Sequence, residues 1–299
     1  MSETNVIRLS HGGASAEIAL AGAEALSWRV DGRDLLWPGD PAVWSQISPI
    51  LFPVVGWTRD GARVDGRQYA LGLHGFAAGQ TFAVETRSDR AARLTLSDNE
   101  ATRAVYPFAF GLTIDYRLGE SALEIAIEVE NKGASPMPYA CGLHPGFRWP
   151  FAGGPREGCE IQFEKPERPE VPVLAPGGLI ASQTRPIAID GAVLKLTDEL
   201  FAKDALCFID PASRSLRFVE PNGAAIELTL GGFAHAALWM RPGAPFLCLE
   251  AWTGYSDPEG FTGELKDKPG MRLLGAGETA RHSATYSFIE APASRGTGA

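Results

Sequence analysis

The chain has 299 residues, 45% hydrophobic and 21% charged, enough apolar material for a sizeable core in one large β domain or two smaller ones. Its formal net charge of −9 argues against nucleic acid or an anionic membrane surface as a partner, since both recruit clustered Lys and Arg; a small neutral ligand stays open. The four cysteines (Cys141, Cys159, Cys207, Cys248) are scattered without a C-x-x-C, which fits reduced thiols better than a disulfide framework or a zinc site. No basic segment precedes an apolar one near Met1, so no signal peptide is expected, and no apolar run reaches the ~18 residues of a membrane span. The expected address is the cytoplasm, with no membrane partner.

In chain order, short alternating segments predict strands at 16–20, 26–30, 82–86, 93–96 and 112–118. The run 123–130 (L-E-I-A-I-E-V-E) alternates most strictly, with Leu123, Ile125, Ile127 and Val129 facing in and the glutamates out. Further strands are expected at 160–163, 206–209, 215–220, 225–230, 237–240 and 284–288. Helical periodicity is almost absent, with one or two turns expected over 199–205. Many short strands punctuated by Gly and Pro indicate an all-β sandwich or barrel. No composition shift marks a boundary, so 1–290 is expected to be a single domain. The Pro-rich stretch 165–176 reads as an extended surface loop, and the small, polar tail 291–299 as disordered.

The stretch 246–261 (F-L-C-L-E-A-W-T-G-Y-S-D-P-E-G-F) opens as an apolar strand bearing one acid, Glu250. Alternation places Phe246, Cys248, Glu250 and Trp252 on one face. A carboxylate on such a strand costs free energy unless something uses it. Of five histidines, His74 in L-G-L-H-G-F and His144 in G-L-H-P-G-F sit in matching settings, each after Gly-Leu and before a Gly and a Phe. Imidazole suits proton transfer near neutral pH; a hydrogen-bonded turn residue is the plainer alternative for either one. His11, His235 and His282 carry no such context. Pro49 and Pro53 bracket an apolar patch that must be edge strand or loop.

Four motifs in this order, P-I-L-F-P-V-V-G, L-G-L-H-G-F, G-L-H-P-G-F, and L-C-L-E-A-W with D-P-E-G-F, resemble the aldose 1-epimerase (galactose mutarotase) family, most closely its compact bacterial branch. The resemblance runs from about residue 48 to 288. It implies a large antiparallel β-sandwich, the galactose mutarotase-like supersandwich, with an open sugar-binding cleft. It also implies cofactor-free interconversion of the α and β anomers of an aldose through the open-chain aldehyde. By position Glu250 resembles the family's base, His144 its acid and His74 the second histidine, which holds the sugar. Asp204 fits the expected third acidic ligand, with Asp198 as competitor. Relatives usually carry Arg after the Gly of the first motif; this chain has Trp57 there, so that either Arg59 substitutes from the same strand face or Trp57 stacks on the sugar. Ala251 stands where Pro is common. Trp252 is a further candidate for a sugar platform, core packing being the alternative.

The lost Arg keeps a second reading open, a non-catalytic sugar-binding or sensor protein. A third is a hexose-6-phosphate epimerase, for which Arg59, Arg63 and Arg67 are the nearest cations in the sequence. No metal is expected, because His74, His144 and Glu250 lack close ligand spacing. The G-A-G-E-T-A stretch at 275–280 reads as a turn, and Asp257 and Glu259 as turn-forming acids. A sugar is the only expected partner, for a monomer or homodimer. The acid–base reading requires His74, His144 and Glu250, distant in sequence, to converge where a sugar can reach them.

Overall fold

The computed structural model describes residues 5–292. The expected disordered tail lies, from residue 293 onward, outside the described residues. Two antiparallel sheets organise the rest. The larger has ten strands, and at its centre Thr279–Ile289 lies between Ala122–Asn131 and Ala225–Gly231. Alternation explains this position. Leu123, Ile125, Ile127 and Val129 are at most 3% exposed, while Glu128 on the other face meets Arg93 at 2.7 Å. Such partly exposed ion pairs contribute little to stability; the buried aliphatic face carries it.

The second sheet, of six strands, holds the chemistry. Phe246–Trp252 lies between His235–Trp239 on one side and the short strands Gly142–Leu143 and Gly146–Arg148 on the other. Leu206–Phe208 forms one edge and Ile50–Leu51 the other. The Pro-bracketed patch is therefore an edge strand, as Pro49 and Pro53 require. Leu247, Leu249 and Ala251 join the main hydrophobic core shared with Ile127 and Tyr286 of the larger sheet. Trp252 instead joins a smaller cluster with Leu51, Ala205, Cys207 and Ala237. Both faces of this strand are thus buried along its whole length. Small side chains beside Trp252 and Glu250 leave room on the second face.

Three expectations change. The stretch 165–176 is not simply a loop, because Glu170–Ala175 pairs with Leu179–Pro186 as a hairpin. The turn over 199–205 is a 3-10 turn at Asp198–Phe201. The one α-helix among the described residues is Glu100–Val105, which escaped notice because it is one and a half turns long; Asn99 and Thr102 cap it reciprocally. The sequence also hides most two- and three-residue strands, which are too short to show a period. The 275–278 turn is as expected, with the Gly275 amide donating to Glu278.

Ile127 is fully buried in the central strand pair. Ile127→Ala is expected to cost about 2–5 kcal/mol, read as a lowered midpoint in urea unfolding with an unchanged slope.

Candidate active site

The site is assembled by the second sheet and the two His-bearing segments. Alternation along Phe246–Trp252 turns Glu250 to the face of the smaller cluster, opposite Ala237. His144 follows Gly142–Leu143, which pairs with the same strand, so imidazole and carboxylate meet across it. His144 Nε2 lies 3.2 Å from Glu250 Oε2. The indole Nε1–H of Trp252 donates to the same oxygen at 3.0 Å. Trp252 therefore acts on the carboxylate and is only 7% exposed.

His74 is brought in by a strained loop. Its φ is +59°, the left-handed region that costs a non-glycine residue of order 1–3 kcal/mol and persists where the surroundings impose it. The surroundings are the Phe52 backbone, which exchanges hydrogen bonds with His74 and Phe76, and Gly56. The Gly56 amide donates to His74 Nδ1 at 3.1 Å, so the neutral ring carries its proton on Nε2 and offers a donor there. Gly75, at φ +73°, must be glycine, since a Cβ would stand 2.2 Å from the Phe52 carbonyl oxygen. The His74 and His144 rings meet edge-on at 5.5 Å. Thus the three residues predicted to converge do so.

Their exposure is graded. His74 is half-buried, His144 is 8% exposed and Glu250 is 1% exposed. The Trp44 and Trp239 rings stand 5.3 and 5.7 Å from that of His144. Glu250 Oε1 and His144 Nδ1 are buried without hydrogen-bond partners. Two unsatisfied polar atoms in an aromatic enclosure are costly to the fold and available to a ligand.

Electrostatics follow from this burial. Desolvation pushes the Glu250 carboxyl well above the usual carboxylate range, opposed by the Trp252 N–H and reinforced by Asp204. Desolvation and then neighbouring His74 push His144 down to about 3. Burial, helped by the Lys268 ammonium, lowers His74 to about 4. Burial therefore disfavours the charged form of both partners across their 3.2 Å contact.

Asp204 and Asp198 part company. Asp198 is engaged by Arg156 at 2.6 Å, and that guanidinium lies over Trp149. Asp204, at φ +71°, lines a cavity of about 570 Å³ together with Trp239, Arg185, Lys203 and Arg241. Its charge is felt at Glu250. Trp57 and Arg59 lie outside any strand, so the notion of a shared strand face is corrected. Both line a neighbouring cleft of about 660 Å³ with Leu179 and Glu259. Trp57 is 40% exposed there. Arg59 stands 3.8 Å from Asp60, and it adjoins the centre only through the backbone, Gly56 being Trp57's neighbour and His74's donor.

Asp257 does more than shape a turn. It is buried and pairs with buried Lys268 at 3.0 Å. Its other oxygen accepts the Arg59 amide, and Lys268 also donates to the Trp57 carbonyl. This pair ties the 57–59 loop to the segment after Glu250. Sequence reasoning missed Lys268, Trp44, Trp239 and the three cations around Asp204, because each comes from a separate loop or strand end. Cys248 could have been found, since alternation puts it on the Glu250 face. His235 accepts the Asp210 amide, and His282 bonds Tyr139 and the Gly232 carbonyl. A ligand atom of Cys248 lies with those of His144 and Glu250 inside 4.8 Å, so a metal-ligating set exists that the spacing did not suggest.

The large antiparallel sheets give this chain the fold of galactose mutarotase-like proteins. The aldose 1-epimerase profile matches residues 5–266, and the chain belongs to the aldose 1-epimerase family. It is 29% identical over 271 residues to the chromosomal LacX protein of Lactococcus lactis subsp. lactis, covering 87% of this chain and 91% of that one. A galactose mutarotase-like protein from Lactobacillus casei superposes with a TM-score of 0.89 at 26% identity, covering 95% of this chain and 100% of the other. A galactose mutarotase-related enzyme from Lactobacillus acidophilus gives 0.87 at 25% identity, with 96% and 98% covered. The chain is an aldose 1-epimerase-like isomerase with the all-β fold expected of it. No helix among the described residues is long and apolar enough to cross a membrane.

The raised carboxyl has a stability consequence. Folded Glu250 keeps a proton that the unfolded chain releases above ~4.3, so this group costs stability as pH rises past that value. Glu250→Gln preserves an acceptor for Trp252 and cannot ionise. Its thermal midpoint is expected to exceed that of the unsubstituted protein at pH 8, by more than at pH 5.

Proposed function

We propose that the chain interconverts the α and β anomers of an aldose, with Glu250 as base and His144 as acid. The carrying observation is the 3.2 Å approach of His144 Nε2 to Glu250 Oε2, a pair to which we assign a single proton from the opposite directions of their shifts. The reaction needs that proton count. Glu250, as carboxylate, takes the proton of the anomeric hydroxyl while imidazolium His144 protonates the ring oxygen. The C1–ring-oxygen bond breaks, the aldehyde rotates about C1–C2, and the reverse transfers close the other anomer. Moving one proton from Glu250 to His144 readies the pair without exchange with solvent. A sugar hydroxyl could use the unpartnered Glu250 Oε1. His74 offers its Nε2–H to the sugar, and Asp204 accepts from its hydroxyls. Trp57 and Arg59 contact the part of the substrate that extends beyond the ring.

Following anomer exchange by NMR tests this. Glu250→Gln and His144→Gln are each expected to lower kcat by about 10²–10⁴. Exchange by Glu250→Gln at the unsubstituted rate would refute the base assignment, and saturable sugar binding without any catalysed exchange would favour a sensor instead.

The pH profile is a separate check. Burial lowers His144 to about 3 and raises Glu250, so the one-proton state is widened in both directions. The acid limb of kcat/KM is expected well below the ~6.5 of an ordinary histidine. A limb at that value would mean that a free imidazole controls the rate.

One observation favours the phosphorylated-sugar reading. Arg185, Lys203 and Arg241 line the Asp204 cavity, and none is ion-paired among the described residues. Three cations gathered in a chain of net charge −9 suit an anionic substituent. A hydrogen bond to a charged group is worth about 1.5–3 kcal/mol, roughly tenfold or more. Glucose 6-phosphate is therefore expected to exceed glucose in kcat/KM by about that factor, and Arg241→Gln to narrow the ratio. Four unpaired, buried cysteines support a reducing, cytoplasmic location. The main core shared by both sheets supports one domain running to residue 290.

A further inference from the structure

Proton transfer uses two of the three reactive side chains gathered at the base. The third is Cys248. It shares a strand face with Glu250, two residues earlier, and is flanked across the sheet by Gly146 and Trp239. Gly146 is tightly enclosed, since a Cβ there would stand 2.8 Å from the Trp44 ring. The thiol, the imidazole and the carboxylate each place a ligand atom within 4.8 Å of the other two. Glu250 is 1% exposed and its Oε1 is unpartnered.

We propose that Cys248, Glu250 and His144 form a binding site for a thiophilic divalent cation of the Zn²⁺ and Cd²⁺ class, and that its occupation silences the epimerase. The dimensions fit. Tetrahedral Zn²⁺ bonds of ~2.0 Å to nitrogen and oxygen and ~2.3 Å to sulfur separate the donor atoms by roughly 3.3–3.8 Å. The His144–Glu250 pair already stands at 3.2 Å. The sulfur has to close by roughly 1 Å, within reach of a small χ1 rotation and local adjustment. Binding forms metal–sulfur, metal–nitrogen and metal–oxygen bonds. The thiol proton, and any proton held by Glu250, leave to solvent; nothing is oxidised or reduced. Three protein ligands leave a fourth position for water or a sugar hydroxyl. A thiolate in the set selects Zn²⁺ and Cd²⁺ over Mg²⁺ and Ca²⁺, which prefer oxygen.

Silencing follows because the cation occupies the same lone pairs on His144 Nε2 and Glu250 that exchange protons with the sugar. This half rests on the proposed acid and base roles; the binding half does not.

The test separates the two halves. Chelator-treated full-length protein is titrated with Co²⁺ and then with Zn²⁺, while absorption is recorded. A thiolate-to-Co²⁺ charge-transfer band is expected, bleached by Zn²⁺. It should vanish in Cys248→Ser and in Cys248→Ala and persist in Cys207→Ser, whose thiol is also buried near Glu250 but lies outside the ligand set. Two Cys248 variants guard against a folding failure, which thermal unfolding identifies. In parallel, anomer exchange is measured against Zn²⁺ and Mg²⁺. Zn²⁺ should inhibit and Mg²⁺ should not, and Cys248→Ala should raise the half-inhibitory Zn²⁺ concentration at least ~10-fold, as loss of a ligand should exceed loss of an outer-shell partner. No band, or a band that survives Cys248→Ala, overturns the site. Zn²⁺ inhibition unchanged in Cys248→Ala overturns its link to activity. If no sugar shows catalysed exchange, the epimerase reading fails, and the Co²⁺ band still decides whether the site exists.

Discussion

An ionised carboxylate is stable inside a protein only where a cation, a set of donors or a proton accompanies it. Glu250 is 1% exposed, with one oxygen unpartnered and the other shared by the Trp252 N–H and His144. The surroundings disfavour the charged forms of both Glu250 and His144. The same desolvation sets the direction of each shift, upward for the acid and downward for the imidazole. A base and an acid that differ by one mobile proton are what ring opening and closure of an aldose require.

The scaffold explains how such a pair is held. Leu247 and Leu249 anchor the central strand of the smaller sheet in the core shared with the larger one. Small neighbours, Ala237 opposite Glu250 and Gly142 opposite Trp252, let the carboxylate and the indole fit on the other face, where a Cβ on Gly142 would stand 2.9 Å from the indole. His74 comes from outside the sheet, in a left-handed conformation held by the Phe52 amide, which donates to the His74 carbonyl, and by Gly56. The buried Lys268–Asp257 pair plays a similar part on the far side, joining the Trp57 loop to the segment that follows Glu250. Removing one partner of such a pair costs more than the pair contributes, because it strands a buried charge. The mouth of the site is therefore organised by a few polar contacts, while hydrocarbon organises its floor.

Two cleft regions flank the centre, and they differ in chemistry. The Asp204 cavity is rich in cations and adjoins His144 through Trp239. The Trp57 cleft pairs an exposed indole with Arg59 and Glu259.

Much was legible in the residues themselves. Strict alternation at 123–130 gave a central strand and its buried face, because a side-chain period of two is a local property of extended backbone. The same rule put Cys248, Glu250 and Trp252 on one face, and the Gly-flanked motifs picked out the two histidines that reach the centre. Proline could only mark 50–51 as an edge. What the tertiary structure alone decided is what depends on contacts between distant segments. It engaged Asp198 with Arg156 and left Asp204 in the cavity; it buried Lys268 against Asp257; it put Trp44 and Trp239 around His144. It also set the directions in which His144 and Glu250 shift, because desolvation is a property of everything that surrounds a group and no local pattern encodes it.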